Sequence, residues 1–592
     1  PIFLPLPEPA MPLSQKRLLF NETHTASANR LYRLDEEKQL RFQLGYIHDR
    51  TTRQYGSEEI YYFAQDTVHT ATNRHDRLKT DCLNAEVNYE DNTVSRYTRE
   101  NFSFAGTWKS GVSDITGDNA IFQKIKNSQW ELKNYFNQLY TKEKYTWGIR
   151  SYIRYTHCPA SLTVAHRNLP ILFADNMLIA NCIYHRNELS SSDNISENTY
   201  RTVIGQTHES ILAEYEEMNT GNAYTDNALY GMRKINGVNY QLTGGFCGEL
   251  SSVKQENAYS AHSYSFYTVP RIEWERNDFL FTAATTVRWS HLPKQSYSRF
   301  CVSPFFCFRY KFTPRWKMSL LGSLDESEGG LKDIYPFRYR EDYRTVVKHT
   351  GKVPVTVRQL YTCYLEYKNT IKEFFWTLSA SYSHNRYNLI TERNYKDGNF
   401  YLSSVERNHS SHSYTLNTIG SKGIYDWNLK TSLELTLARN EGKQLNEGIV
   451  QDYRYDYLCI EPKIVWAPSV FFEAEYKATV SCVGGGIGED TSLDPLWEVA
   501  QRLTLSLEFH DTEFRLSGEH FYNDLSKNQH LNIWLADVSL IHKAGKWRFA
   551  ASAINLFNKE QYRYTLYSAV QSYTSWIKLR PREFMVSVQY QW

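Results

Sequence analysis

The C-terminal end of the chain constrains the fold more than any other stretch. Residues 582–592 read REFMVSVQYQW, and alternate positions are held by Phe584, Val586, Val588, Tyr590 and Trp592. Because side chains alternate between the two faces of a strand, these residues form one apolar face opposite a mostly polar one. Such a strand is typical of the closing strand of a barrel with lipid outside and a wet lumen inside. It also suits the last strand of a soluble sandwich, so the choice between a membrane barrel and a sandwich depends on the rest of the chain.

The same alternation recurs along the chain, for example at Leu503, Leu505, Leu507 and Phe509, at Leu429, Leu433, Leu435 and Leu437, and at Trp147, Ile149, Ile153 and Tyr155. Many of these segments run for ten residues or more, whereas soluble strands average about five or six. A tilted membrane strand needs roughly 9–11. Aromatic residues make up 15% of the chain and the mean hydropathy is −0.57, which favours membrane strands with aromatic girdles over spanning helices.

The connections between these segments alternate between short and long. Short turns are predicted at Phe312–Arg315 and at Asp511–Thr512, and long polar loops at Asp325–Pro354, Arg439–Asp452, Gly484–Ala500 and Asn558–Ile577. Outer-membrane barrels have short periplasmic turns and longer extracellular loops. The sequence therefore predicts an all-β fold, a large antiparallel transmembrane β-barrel of about 22 strands, with that asymmetry between its two ends.

The predicted domain organisation is simple. Residues 1–22 begin PIFLPLPEPAMP and are predicted to form an extended proline-rich segment or loop, since proline disfavours helix and interior strand. Residues 23–592 are predicted to form the barrel. Within it, residues 159–230 are predicted to be a long extracellular excursion, with a short helix around Ile211–Met218.

No enzyme constellation emerges from the motifs. The best acid–base candidates lie near one turn, at Glu508, His510, Glu519 and His520, but alternating barrels routinely place such residues in the lumen or toward the periplasm. Gly484–Gly488 resembles a phosphate cradle without the lysine or helix that should follow it, and a flexible external loop is expected there. We therefore expect a protein that is not an enzyme and has no cofactor or metal.

The last predicted loop is crowded with aromatic residues, namely Tyr562, Tyr564, Tyr567, Tyr573 and Trp576. Such side chains offer large rigid surfaces to a ligand or partner, so they are candidate extracellular contacts. Packing of the loop on itself, or an interfacial girdle, explains them equally well, and both interpretations stay open.

The C-terminal region resembles the end of TonB-dependent receptors, especially the Bacteroidota group that carries a carboxypeptidase-regulatory-like domain. The resemblance rests on Asn555-Leu556-Phe557-Asn558, a following Tyr/Ser-rich loop and an Arg-Glu-Phe strand, and it extends to LLFNETHTASANRLYRL and SPFFCFRYKFTPRWKMSLLGS. In that family a globular plug and a TonB-contacting segment precede the barrel. The resemblance therefore covers the barrel portion only.

The resemblance implies residence in the outer membrane of a Gram-negative bacterium, among its lipids, and energised nutrient uptake with TonB acting through a plug that is not part of this chain. The alternative is a plugless barrel that docks surface lipoproteins or other outer-membrane proteins as a structural subunit. The net charge of +2 indicates no particular partner, and no nucleic acid is expected. Counted back from the C-terminus, the strand Thr23–Leu34 runs toward the periplasm, so an additional first strand is expected before it.

Overall fold

The computed structural model describes residues 13, 15–18, 20–62, 67–117, 120–143, 145–167, 198–204, 207–488, 491–525, 529–567 and 571–590. Most of the proline-rich segment predicted over residues 1–22, and also Trp592, lie outside these ranges. The described residues include two short helices, α1 (Gln15–Leu18) and α2 (Leu331–Ile334), and two 3-10 turns. No helix within them is both long and apolar enough to cross a membrane.

The strands, in chain order, are β1 (Phe20–Arg33), β2 (Lys38–Tyr62), β3 (Thr67–Asn92), β4 (Arg96–Gly117), β5 (Ala120–Lys142), β6 (Tyr145–Arg167), β7 (Asn198–Ile204), β8 (Thr207–Ile235), β9 (Val238–Lys254), β10 (Ala258–Arg276), β11 (Phe279–Leu292), β12 (Tyr297–Thr313), β13 (Trp316–Glu328), β14 (Tyr339–Arg340), β15 (Thr345–Lys348), β16 (Val355–Asn369), β17 (Phe374–Lys396), β18 (Asn399–Ile424), β19 (Leu429–Asn446), β20 (Ile449–Ser469), β21 (Phe472–Ile487), β22 (Thr491–Phe509), β23 (Thr512–Leu525), β24 (Gln529–Ala544), β25 (Trp547–Ile554), β26 (Gln561–Tyr567), β27 (Gln571–Lys578) and β28 (Glu583–Tyr590).

All 28 described strands belong to one sheet. Five of them, β7, β14, β15, β26 and β27, are short additions, and the other 23 form a ladder in which each strand pairs antiparallel with the next, from β1 to β25 and then to β28. A ladder of this kind satisfies the backbone hydrogen bonds that lipid cannot satisfy. The predicted all-β antiparallel barrel is confirmed, with a ladder of about the predicted strand number.

Short turns at one end of the ladder let each strand fold back directly beside the strand before it. In the turn between β8 and β9, Asn236 and Gly237 both have positive φ, at 48° and 84°, as a type I′ hairpin turn requires. Asparagine and glycine adopt this left-handed conformation at little cost. This end also carries the C-terminus of β28, and we call it the periplasmic end. The long connections 329–354, between β13 and β16, and 555–582, between β25 and β28, start and end at the opposite, extracellular end.

Two of the four predictions of long loops are wrong, because these segments are mostly strand. The Arg439–Asp452 segment is a tall hairpin, in which β19 continues to Asn446 and β20 begins at Ile449. The Gly484–Ala500 segment belongs largely to β21 and β22. Beyond the membrane both faces of a strand are wet, so these polar residues continue the ladder without the alternation that marks a membrane strand.

The helix predicted around Ile211–Met218 is also wrong. These residues lie in β8, whose pairing with β6 runs from Leu212 opposite His166 to Arg233 opposite Tyr145. The ladder hydrogen bonds and the complete burial of Met218 favour the strand over the local helical pattern. Residues 168–197 of the predicted excursion lie outside the described residues, and the extracellular position of the whole segment stays a prediction.

The two faces of the ladder differ as the sequence predicts. On β19, Leu433 and Leu437 are 52% and 40% exposed on the outer face, while Ser432 and Glu434 face the lumen. Aromatic pairs cluster beside the periplasmic turns, including Tyr140–Trp147, Trp274–Phe279, Trp316–Trp376, Trp466–Phe472 and Trp547–Tyr590. An exposed apolar band bordered by an aromatic girdle is the outer surface of a membrane barrel.

The ladder has two edge strands, β1 and β28. Among the described residues, β1 pairs only with β2 and β28 only with β25, and both are exposed along almost their whole length. In β28 the predicted apolar face is open, with Phe584, Val586, Val588 and Tyr590 between 39% and 80% exposed. Its role as the barrel-closing strand stays a prediction. Because the ladder has an odd number of strands, β1 and β28 run in the same direction.

A charge on the lipid-facing side of β19 should destabilise the barrel in a depth-dependent way. We predict that Leu435→Arg lowers the free energy of unfolding by about 2–4 kcal/mol, the cost of arginine near the bilayer midplane. Ser432→Arg, on the lumen face of the same strand, is the matched control and should cost much less. Denaturant unfolding of the protein refolded into lipid vesicles measures both; equal costs would contradict the assigned faces.

Candidate functional site

The connection between β13 and β16, residues 329–354, folds across the extracellular mouth, and we call it the crossing loop. It contains α2, β14 and β15, and β15 adds in parallel to β18, with Thr345 opposite Phe400 and Lys348 opposite Ser403. Its other contacts reach β2, β3, β5 and β8. In the ladder of 23 strands, β13 is the twelfth and β3 is the third. The part of the wall around β13 therefore lies nearly opposite the part around β3, and the loop that joins them spans the opening.

Arg344 is the main anchor of the crossing loop on the far wall. Its guanidinium pairs with the Glu59 carboxylate, and it donates hydrogen bonds to Thr70 Oγ1 at 3.0 Å and to the Tyr61 hydroxyl at 3.1 Å. The side chains of Arg344 and Glu59 are only 13% and 7% exposed. The ring of Phe400 stands 5.4 Å from the guanidinium carbon. A buried guanidinium needs such partners because its desolvation is otherwise uncompensated.

Arg340 provides a second anchor, on β8. Its side chain pairs with Glu214 and donates to Asn399 Oδ1 at 3.0 Å, while its backbone N–H donates to Glu216 Oε2 at 2.8 Å. Burial raises the pKa of Glu216 to about 7, against the opposing effect of Arg340. Glu216 lies in the part of β8 that extends well beyond the membrane, so this titration falls in the water-accessible pH range.

Tyr343 joins the crossing loop to two further strands. Its backbone N–H donates to Gln123 Oε1 at 2.9 Å on β5, and its hydroxyl accepts a hydrogen bond from Arg74 Nη2 at 3.0 Å on β3. The Arg74 guanidinium carbon also lies 4.9 Å from the Tyr343 ring centroid and 5.8 Å from that of Tyr55. One tyrosine thus links β5 and β3, two strands of the far wall separated by β4, through its backbone and its side chain.

An apolar cluster supports these polar anchors. The crossing loop contributes buried side chains that pack on buried residues of β4, β5, β6, β8, β9 and β10, and the cluster includes Ile115, Ile121, Ile125, Leu162, Val164, Met218, Val253, Tyr259, Tyr335, Tyr339, Tyr343, Val347 and Val353. Tyr335 also donates a hydrogen bond to Gln255 Oε1 at 2.8 Å. Burial of this apolar area favours the closed position of the loop, and the arginines fix its register.

The described residues before β1, residues 13 and 15–18, lie on the lumen side of the barrel wall. Arg17 of α1 is 4% exposed and pairs with Glu519 at 2.8 Å and Asp537 at 2.9 Å, both on the inner faces of their strands. Leu13 and Leu18 are buried in a cluster with residues of β23, β24 and the last loop. These described residues are therefore held inside the barrel rather than on its outer surface.

The aromatic residues predicted as contacts in the last loop differ in how far they are buried. Tyr562 and Tyr564 are 0% and 3% exposed, which favours packing of the loop on itself, and their contact with a ligand or partner stays a prediction. Tyr573 is half-buried, and Trp576 lies so close over Gly56 that a side chain there would collide with the indole. Contact with a ligand stays a prediction for these two. The side chain of Tyr567 lies outside the described residues.

The predicted acid–base candidates do not converge. His510 is in the β22–β23 turn, with φ of 53°, and Glu508 lies beside it. Glu519 and His520 are adjacent on β23 and therefore point to opposite faces: Glu519 binds Arg17 in the lumen, and His520 stacks on Trp534 outside. The described residues contain no group of acidic, histidine or cysteine side chains suited to a metal ion.

Sequence reasoning did not single out the arginines of the crossing loop. The segment YPFRYREDYRTVV at residues 335–347 alternates aromatic, basic and branched residues, an unusual composition for a solvated loop. That composition is the signal that could have indicated a buried, arginine-anchored structure.

The sequence matches no family model and no curated protein. Among solved structures, it is similar to the outer membrane transporter YddB from Escherichia coli, with a TM-score of 0.50, 10% identity, and coverage of 97% of this chain and 76% of that one. The copper transporter OprC has a TM-score of 0.44, 8% identity and coverage of 96% and 84%. A ferric enterobactin receptor (PfeA) variant from Pseudomonas aeruginosa has a TM-score of 0.44, 10% identity and coverage of 94% and 80%.

At this level of identity the similarity to YddB shows a shared fold. That fold is a large antiparallel β-barrel. Together with the exposed apolar band, it places the chain in the outer membrane of a Gram-negative bacterium, as the sequence predicts.

Removal of the Arg344 charge should release the crossing loop. We predict that Arg344→Met, which keeps much of the bulk, destabilises the closed loop by about 3–5 kcal/mol, because it leaves Glu59 buried without its partner. Backbone amides of residues 339–348 should then exchange hydrogen much faster. Lys352→Met is the matched control, since its pair with Glu406 is well exposed and little change is expected. Unchanged exchange in the Arg344 variant would contradict the anchoring role.

The same amides should report the titration of Glu216. Its pKa rises from 4.5 to about 7 in the folded protein, so between these values the closed state binds more protons than the open state. The closed loop is therefore most stable at low pH, and its stability falls as pH rises from about 5 to 8. Hydrogen exchange, corrected for its intrinsic pH dependence, should speed up accordingly. Glu216→Gln, which keeps an acceptor for Arg340, should remove this dependence; an equal dependence in both proteins would refute the assignment.

Proposed function

We propose that this chain is the barrel of a TonB-dependent receptor of the Bacteroidota type, which takes up a nutrient too large or too scarce for diffusion pores. The transporter-barrel fold supports the proposal, and so does the Asn555–Asn558 motif followed by the Arg-Glu-Phe strand. The single observation that carries it is the crossing loop. A loop that leaves β13 and is tied to β8 by Arg340 and to β2 by Arg344 obstructs passive flow through the mouth, as selective capture requires.

In this proposal the ligand binds at the extracellular face, between the crossing loop and the tall hairpins around it. A plug joined ahead of α1 would lie in the lumen, where the contacts of Arg17 already hold the adjoining segment against the inner wall. An inner-membrane TonB complex would supply the energy through that plug. The crossing loop would open as a unit, because water that enters reaches all of its buried charged anchors together.

The exposed edges of β1 and β28 favour a second function. Each edge presents unpaired backbone groups over most of its length among the described residues, and such edges are templates for another chain. On this alternative, the barrel is a plugless docking subunit that binds a surface lipoprotein or another outer-membrane protein. The two proposals predict different masses for the mature protein, and only the first predicts uptake that depends on energy.

We predict that cells expressing the protein from its complete gene accumulate at least one member of a panel of labelled ferric siderophores, cobalamin and oligosaccharides. The host should lack its own receptors for these compounds. Accumulation should stop when a protonophore dissipates the proton gradient, since TonB-driven import depends on it. The intact mass of the protein purified from outer membranes should exceed 69.5 kDa by at least the mass of a plug domain.

Three results would contradict the transporter. Accumulation that resists the protonophore would indicate a passive pore. A mature mass of 69.5 kDa without accumulation would support the docking subunit. Failure of the whole panel at a mass that includes a plug would reject nutrient uptake of these classes.

A further inference from the structure

A groove of about 1120 Å³ lies in the outer wall of the barrel, across β12, β13 and β16–β22. Cross-strand register shows which residues share this face. Tyr361 is opposite Tyr382, Tyr382 is opposite Tyr414, and Tyr414 is opposite Arg439. One step nearer the periplasm, Leu416, Leu437, Leu458 and Cys482 form a second row on the same face. Residues directly opposite one another point to the same side of a sheet, so the groove faces lipid, not lumen.

A glycine keeps one end of the groove open. Gly484 is opposite Asp456, so it presents backbone to the outer face. A Cβ built at Gly484 would have no contact closer than 3.6 Å, to Pro495. Neither close packing nor positive φ therefore requires glycine at this position. The missing side chain leaves a concavity, and residues 484–487 lie in β21, not in the flexible loop that the sequence predicts.

The groove lies at the outer boundary of the apolar band. Arg439 follows Leu429, at the periplasmic end of β19, by ten residues. At about 3.3 Å per residue and a tilt of roughly 45°, it stands about 23 Å above that end. The apolar band of such barrels is about 25 Å tall, so Arg439 is placed where outer-leaflet headgroups meet acyl chains.

Positive charge collects on the water side of the groove. Arg439 and Arg454 share one carboxylate, that of Asp456, at 2.6 Å and 3.1 Å. Arg386 is exposed nearby and donates from Nε to His384 Nε2 at 3.0 Å, and the His384 ring stacks on His412.

The counter-charges facing these groups are few. Glu441 lies opposite both His412 and Arg454, and Lys443 is matched by Asp452 at 2.6 Å. Among the described groups on the outer face of β17–β20, the three arginines face two carboxylates, Asp456 and Glu441, so one positive charge remains there before either histidine is protonated. The next carboxylate on this face is that of Asp524, on β23. An anion would complete this charge balance.

We propose that the groove binds a phosphate-bearing lipid of the outer leaflet. The leucine row and the tyrosine rings receive its acyl chains, and the guanidinium groups of Arg439 and Arg454 receive its phosphate. The order of apolar and basic groups along the membrane normal matches the order of chain and headgroup in such a lipid. The site is separate from the crossing loop and does not depend on the transport function.

Native mass spectrometry of the detergent-purified full-length protein tests the proposal. The probes are phosphatidylglycerol, diacylglycerol with the same chains, and inorganic phosphate. We expect phosphatidylglycerol to be retained in preference to the other two. Arg439→Gln with Arg454→Gln should weaken its binding about tenfold or more, since each basic residue near an anionic lipid surface contributes appreciably. Gly484→Phe, which fills the groove, should weaken both phosphatidylglycerol and diacylglycerol.

Arg271→Gln with Arg309→Gln removes two positive charges on the lumen face and is the matched control. Heat-modifiable electrophoretic migration of every variant confirms that the barrel is folded. Equal phosphatidylglycerol binding by the groove variant and the control, or no preference over diacylglycerol, would overturn the proposal. Inorganic phosphate bound as well as the lipid would show an anion site instead and would also overturn it.

Discussion

The backbone hydrogen bonds of the ladder are the constraint on which the rest of the structure depends. In lipid every unpaired N–H and C=O group costs several kcal/mol, so the chain must return beside itself at each turn. The left-handed residues at tight turns such as Asn236–Gly237 make that return possible, and the alternating face of each strand follows from it. Only above the membrane, where water can satisfy the backbone, does the chain depart from the ladder.

The crossing loop shows how that freedom is used. Its residues bury Arg340 and Arg344 against carboxylates on distant strands, an arrangement that contributes more to a unique position than to net stability. The surrounding tyrosines and branched residues supply the apolar area. Because each anchor is buried with its partner, removal of either arginine leaves a buried carboxylate uncompensated.

The fold was largely predictable because membrane strands reveal themselves through alternation and length. Leu433 and Leu437 are exposed and apolar where a lumen face would be polar, so the outer surface could be identified residue by residue. The tall hairpins could not be identified, since strands with water on both faces lose their alternation, as at Arg439–Asp452. The site was missed for a different reason: Arg344 and Glu59 are 285 positions apart, and no local pattern joins them. Tyr562 and Tyr564 are aromatic residues in a loop whose burial only tertiary packing reveals.

The height of the extracellular hairpins has a consequence for how the protein meets its surroundings. Strands such as β2, β3 and β18 run for 25 or 26 residues, more than twice the length that crosses a bilayer. The excess forms a rigid vestibule whose backbone stays hydrogen-bonded above the headgroups. A protease needs an extended, unpaired segment, so cleavage at the cell surface should be confined to the hairpin tips, and the walls should persist after the tips are cut.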